Sequence, residues 1–161
     1  MPEIKYKPIG IIHSPFKEPK GTPIQAESGK NIEGLIEIFP EYSEGLKDLD
    51  GFSYIIVLYH FHLIKDAPLL VKPYMDENEH GIFSIRGPAR PNPIGMSITR
   101  LIRIKKNKLY IRDIDIVDGT PLLDIKPYVP AFDVKEAEKI GWLQNNQHKL
   151  HTSKDDGRFV I

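Results

Sequence analysis

Ser97-Ile98-Thr99-Arg100-Leu101-Ile102-Arg103-Ile104, Lys105-Lys106-Asn107-Lys108 and Leu109-Tyr110-Ile111-Arg112-Asp113-Ile114-Asp115-Ile116-Val117 run consecutively, and they read as two β arms around a short polar turn. β-Branched and aromatic residues alternate with charged ones in both arms, as a half-buried hairpin requires. In the second arm the alternation slips near Arg112-Asp113. Leu109 and Ile111 share one parity while Ile114 and Ile116 share the other, and one inserted residue, a bulge, accounts for the slip. Working outward, Gly34–Phe39 reads as another strand, and Tyr54–Tyr59 is a continuous apolar run suited to burial on both faces. Fourteen prolines and twelve glycines interrupt every window long enough for several helical turns. The expected architecture is therefore mainly β, a small single-domain barrel or sandwich with short helices. Glu41–Leu49 suits a short helix between strands. Asp133 and Glu136 have capping-box spacing ahead of a helix that would end near Gly141, with Trp142 and Leu143 pinning the polar segment that follows. Residues 1–133 are thus read as the β domain and 134–161 as a C-terminal helix and tail.

Composition narrows the classes of function. The 161 residues suffice for one domain with a real core. Lys+Arg and Asp+Glu both number 22, so the formal charge cancels, and a nucleic-acid site would have to be a local patch. Cysteine is absent, which removes disulfides, thiolate catalysis and thiolate-bound zinc. No apolar run approaches the length of a membrane span, and Met1-Pro2-Glu3-Ile4-Lys5 lacks the apolar stretch of a signal peptide; the cytoplasm is the expected compartment. No Gly-x-Gly-x-x-Gly turn is present, so a dinucleotide-type Rossmann domain is not expected.

The chemistry is concentrated in Gly81-Ile82-Phe83-Ser84-Ile85-Arg86-Gly87-Pro88-Ala89-Arg90-Pro91-Asn92-Pro93-Ile94-Gly95. Proline fixes φ and removes backbone donors, and glycine allows close backbone approach, so this stretch should be a stiff irregular loop that aims Arg86, Arg90 and Asn92 in set directions. Stiff polar loops commonly bind ligands. The plain alternative is a proline-rich connection with surface arginines.

This stretch resembles the signature of the TsaA-like or TrmO family, in which Gly-aliphatic-Phe-small-x-Arg leads, after three residues, into Arg-Pro-Asn-Pro-Ile-Gly. Further blocks match in the same order: Ile9–Phe16, Pro23-Ile24-Gln25, Gly51–Tyr54 leading to Phe61-His62, and Asp113–Tyr128. The resemblance implies a non-Rossmann β-barrel methyltransferase that uses S-adenosyl-L-methionine to methylate the exocyclic amino nitrogen of threonylcarbamoyladenosine at position 37 of tRNA. It also implies a homodimer with the cofactor near the interface. On the matching positions, the cofactor contacts would be Pro23, Ile24, Gln25, His62, Leu63, Arg86, Ile98 and the turn Asp118-Gly119-Thr120-Pro121.

The acceptor nitrogen of such a substrate is a poor nucleophile, because its lone pair is delocalised into the ring and the neighbouring carbonyl; losing its proton would help methyl transfer. Asp118, Asp124, His62 and Tyr128 are candidate bases, and spacing does not choose among them. Arg90 or Arg86 suits the threonyl carboxylate. Asp118, Tyr128 and Arg90 form the expected catalytic group. His60 and His62 share a face at a strand end, yet no third ligand stands at a helpful spacing, so no metal is expected.

For an anticodon loop, Arg100, Arg103, Lys105, Lys106, Lys108 and Arg112 place six cations in thirteen residues with no acid between them. Strict period two would divide them between the faces of the hairpin, and charged edges that resist aggregation explain them equally well. Two alternatives stand beside the tRNA reading: a module that binds S-adenosylmethionine or an adenine nucleotide without chemistry, and a methyltransferase with another substrate.

Overall fold

The computed structural model describes residues 1–159. The last two residues of the expected tail lie outside them. Eight strands form, β1 (Gly10–His13), β2 (Glu33–Ile38), β3 (Tyr54–His60), β4 (Leu70–Val71), β5 (His80–Gly81), β6 (Ile94–Lys105), β7 (Lys108–Arg112) and β8 (Thr120–Pro127), together with one short helix, α1 (Pro130–Asp133). Six of the strands close a barrel in the order β1-β2-β7-β6-β3-β8, while β4 and β5 pair separately. Every pairing in the barrel is antiparallel. Closure leaves no unpaired sheet edge to recruit another chain. Alternation fills the interior: Ile12, Ile36, Ile38, Ile55, Val57, Leu109, Ile111 and Leu122 are buried in one cluster.

Two close approaches depend on small residues. A Cβ on Gly10 would lie 2.3 Å from the Glu37 carbonyl oxygen, where β1 crosses β2. A Cβ on Gly29 would lie 2.2 Å from the Ile114 carbonyl oxygen.

The hairpin forms with longer and shorter arms than expected, and the bulge sits on the opposite strand. β6 and β7 pair Leu101 with Ile111 but Arg103 with Tyr110, so Ile102 of β6 is the extra residue. β7 itself stops at Arg112. Asp113 adopts φ +67°, and its carboxylate accepts the Asn31 backbone N–H at 2.7 Å. Short polar Asp tolerates this left-handed conformation better than most residues do. Beyond that turn the chain leaves the sheet and lays Ile114 and Ile116 into the core. The parity slip therefore marks a strand end, not an insertion within β7.

The bulge has a second consequence. By shifting register it brings Arg103 and Lys105 to the outer face with Arg100, Lys108 and Arg112, where strict period two would have divided them. Arg103 lies 4.1 Å over the Tyr110 ring. Arg100 stands directly across from Arg112, and Lys105 from Lys108.

Three other expectations change. Strand β3 is buried on its inner face only; Tyr54, Ile56, Leu58 and His60 keep partial exposure, because no layer covers the outside of the barrel there. Pro40–Leu46 and Leu49–Gly51 are 3-10 turns in place of one helix. The helix expected between Asp133 and Gly141 is absent. The Asp133 carboxylate turns back to accept the Val129 N–H at 2.6 Å, so it closes α1 where it was expected to start a helix. Residues 134–140 are irregular, and 3-10 turns follow at Gly141–Asn145 and Gln147–Lys149.

The tail packs back on the molecule through specific bonds. Trp142 Nε1 donates to the Ser84 carbonyl at 2.9 Å while its ring stacks on His80 at 5.0 Å. Ser28 Oγ donates to the Leu150 carbonyl at 2.8 Å, and Pro23 bridges Lys154. Phe159 meets Tyr74 edge to face at 5.3 Å. Among the described residues, no helix is long and apolar enough to cross a membrane.

Candidate functional site

A cavity of about 840 Å³ opens at the end of the barrel where β3 finishes and β6 begins. That is ample for a nucleoside-sized ligand. The barrel contributes Tyr59, Phe61, Met96 and Asp115; the proline-rich loop contributes one wall and the tail another.

The loop is rigid for a reason that its sequence only half declares. Arg90 Nη1 donates to the carbonyls of Ile85 (2.9 Å) and Gly87 (3.3 Å), so this arginine braces the bend from inside. Ile82 and Ala89 are buried and anchor the loop on either side. Arg86, by contrast, projects into the open part of the cavity, where its Nη1 reaches Gln25 Oε1 at 3.5 Å.

Pro23, Ile24, Gln25, His62, Leu63, Arg86 and Arg90 all line this one cavity, although they come from three separated segments. The other expected site residues stand elsewhere. Ile98 points outward from β6, continuing an exposed apolar strip with Ile94 and Met96. Asp118 caps the end of β1: its carboxylate accepts the Ser14 N–H at 2.9 Å and the Lys17 ammonium at 2.8 Å. Those bonds, Lys17 first, hold Asp118 below the usual carboxylate range. Gly119, at φ +79°, donates its N–H to the Ile12 carbonyl, Thr120 Oγ1 donates to the Val117 carbonyl, and Pro121 pairs with Ile11. Tyr128 packs edge to face on Tyr54, and Asp124 pairs with Lys126 at 2.9 Å; neither lines the cavity.

His62 does line it, and burial first, helped by repulsion from His60 and opposed by a backbone hydrogen bond there, holds its pKa below the ordinary histidine value. Among the described residues, no group of three or more His, Asp or Glu side chains is placed to hold a metal ion.

A polar group that sequence patterning does not reveal forms the cavity floor. Ser97 Oγ donates to Asp115 Oδ1 at 2.5 Å, and Tyr59 Oη lies 3.1 Å from Ser97 Oγ. A hydroxyl has one proton; with that of Ser97 given to the carboxylate, Tyr59 must donate to Ser97. Burial raises Asp115 from the ordinary aspartate value to about 6, against the opposing effect of the Ser97 hydrogen bond. One signal was available: Asp115 is an acid flanked by Ile114 and Ile116, so core packing on either side fixes its direction.

The comparisons with known proteins give this geometry its family. Residues 11–134 match the model of the tRNA-methyltransferase O N-terminal domain. The chain belongs to that family. A probable S-adenosyl-L-methionine-binding protein of Pyrococcus abyssi is 65% identical over 156 residues, covering 97% of this chain and 85% of the relative. The human tRNA (adenine(37)-N6)-methyltransferase is 34% identical over 166 residues, covering 94% of this chain but 37% of that protein. In shape, the crystal structure of TrmO from Pseudomonas aeruginosa superposes with a TM-score of 0.73 at 34% identity, covering 86% of this chain and 62% of that one. The chain thus spans under two thirds of the crystallised relative and little more than a third of the human one. The family match takes in the proline-rich loop, the cavity floor and the start of the tail.

Proposed function

We propose that the chain is an S-adenosylmethionine-dependent tRNA methyltransferase whose target is the exocyclic amino nitrogen of threonylcarbamoyladenosine at position 37. The observation that carries this reading is the convergence of Pro23–Gln25, His62–Leu63 and Arg86 on one cavity, beside the half-buried carboxylate of Asp115.

The residues suit the cofactor. A zwitterionic nucleoside with a sulfonium needs a cation for its carboxylate, an anion near its positive centres and apolar walls for its base. Arg86 with Gln25, the carboxylate of Asp155, and Phe61 with Ile24 and Leu63 provide these in turn. When bound, the cofactor supplies an electrophilic methyl group. The protein's part is alignment and exclusion of water. Arg90 keeps Nε and Nη2 free of protein partners among the described residues, which suits the threonyl carboxylate of the substrate.

The outer face of the hairpin supports an RNA partner. Like charges placed directly across a ladder repel, and a phosphate chain relieves the pair Lys105–Lys108, whereas in the pair Arg100–Arg112 the second arginine already has Glu33 at 3.1 Å. Along β6 the hairpin tip lies roughly 30 Å from the cavity end, a span that a tRNA stem covers while its loop enters the cavity. The strip Ile94, Met96 and Ile98 supports the homodimer reading, in which Ile98 acts from a partner's surface.

The test is transfer of labelled methyl groups to bulk tRNA with and without the threonylcarbamoyl group. Transfer only to the modified tRNA is expected. Tight cofactor binding without transfer to either would favour a binding module, and equal transfer to both would point to a different substrate.

A further inference from the structure

We propose that Asp115 is the proton acceptor of the reaction, held for that task by the chain Tyr59–Ser97–Asp115 at the cavity floor. The inference rests on the methyltransferase reading above and selects a residue that the family signature does not single out.

The placement argues for it. Two carboxylates line the cavity, Asp115 from the barrel and Asp155 from the tail. Asp155 Oδ1 accepts the Gly157 N–H at 2.7 Å, in a loop next to the Asp156–Arg158 pair, and so is tied to the tail's own fold. Asp115 has one oxygen fixed by Ser97, and Oδ2 has no hydrogen-bond partner among the described residues. It is mounted on a segment pinned by two core isoleucines, and Ser97 stands on a central barrel strand. A group positioned on rigid elements, with one oxygen steadied and the other open to a ligand cavity, is built to accept a proton. Of the other candidate bases, Asp118 is committed to Lys17 and Ser14, Asp124 and Tyr128 lie outside the cavity, and His62, which does line it, is the competitor that the pH test below separates from Asp115.

Burial supports the role, since a carboxylate near 6 is mostly ionised at neutral pH yet more basic than an exposed one. The charged or titratable groups around the same cavity are His62 just past β3, Arg86 and Arg90 on the loop, Tyr59 beneath Ser97, Tyr74, and Asp155 on the tail. No ion pair joins Asp115 to either arginine among the described residues.

In the step itself, the amino nitrogen gives its proton to Asp115 Oδ2, and the N–H electron pair stays on nitrogen. That nitrogen forms its new bond to the methyl carbon, while the electron pair of the broken S–CH3 bond remains on sulfur. A sulfonium and a carboxylate thus become a neutral thioether and a carboxylic acid, and charge balances.

Asp115→Asn keeps an oxygen for Ser97 and cannot take the proton. Single-turnover methyl transfer should fall by about a hundredfold or more. Affinity for S-adenosylhomocysteine, measured by calorimetry, should change less than about threefold, and circular dichroism should match the wild type. In the wild type, the carboxyl carbon of Asp115 should titrate by NMR near 6 without any ligand, and transfer should fall as pH drops through that value. The acid limb should vanish in Asp115→Asn; a limb due to His62 would persist. Ser97→Ala removes a bond that favours the ionised form, so the limb should move upward with the alkaline plateau retained. Wild-type transfer with an equally active Asp115→Asn would overturn the role of Asp115 alone. Absence of transfer by the wild type would overturn the methyltransferase reading and this assignment with it.

Discussion

Gly95 stands directly opposite Tyr59 in the β3–β6 ladder, and a Cβ on it would lie 2.2 Å from the phenol ring. The glycine that closes the Arg-Pro-Asn-Pro-Ile-Gly stretch is therefore the floor space on which the tyrosine lies. The ring in turn sets its hydroxyl against Ser97, two residues along the same strand. Gly95→Ala should push the ring off β6 and break that bond. A cost of about 1–3 kcal/mol in urea denaturation is expected, typical of overpacking in a closed core, together with loss of the Tyr59–Ser97 contact.

Arg86 is exposed and contributes nothing to the core, in contrast to Arg90, which braces the loop. Arg86→Ala should leave the melting temperature within a degree or two of the wild type. Affinity for S-adenosylmethionine should drop by roughly 1.5–3 kcal/mol, the usual worth of a hydrogen bond to a charged group. Unchanged affinity in calorimetry would remove Arg86 from the binding site.

The cavity floor carries a cost in stability that pH reveals. With its pKa raised from 3.8 to about 6, Asp115 binds a proton more readily in the folded chain than in the unfolded one. Its contribution to stability is therefore greatest below about 4, falls as pH rises through the window, and is fully unfavourable above about 6. Asp115→Asn should flatten that part of the stability profile and stabilise the protein by about 3 kcal/mol at pH 8, measured by urea denaturation. A gain in stability paired with lost turnover is the signature of a group retained for function.

Much of this fold was legible in the chain because barrels are written in local terms. Alternation located β6 and β7, apolar runs located β2 and β3, and the density of proline excluded long helices. What resisted reading was long-range. The bulge at Ile102 exists only relative to β7, and periodicity within one strand does not report its partner's register. Asp133 had the spacing of a cap, but its side chain found the Val129 N–H behind it. In the site, the loop arginines were recognisable from residue type. Asp115 was hidden because its partners, Ser97 and Tyr59, lie 18 and 56 residues away.

The tail forms a wall of the cavity, and Trp142 attaches its first turn by one hydrogen bond to Ser84 and a stack on His80. Trp142→Ala should loosen it. Hydrogen exchange across residues 141–159 should quicken at least tenfold while the barrel strands keep their protection, and cofactor affinity should weaken several-fold.

The most direct measurement is a crystal structure of the protein with S-adenosylhomocysteine. The account predicts the nucleoside in the cavity between Pro23–Gln25, His62 and Arg86, with its sulfur facing Asp115. A ligand seated elsewhere, with Arg86 and Asp115 untouched, would contradict it.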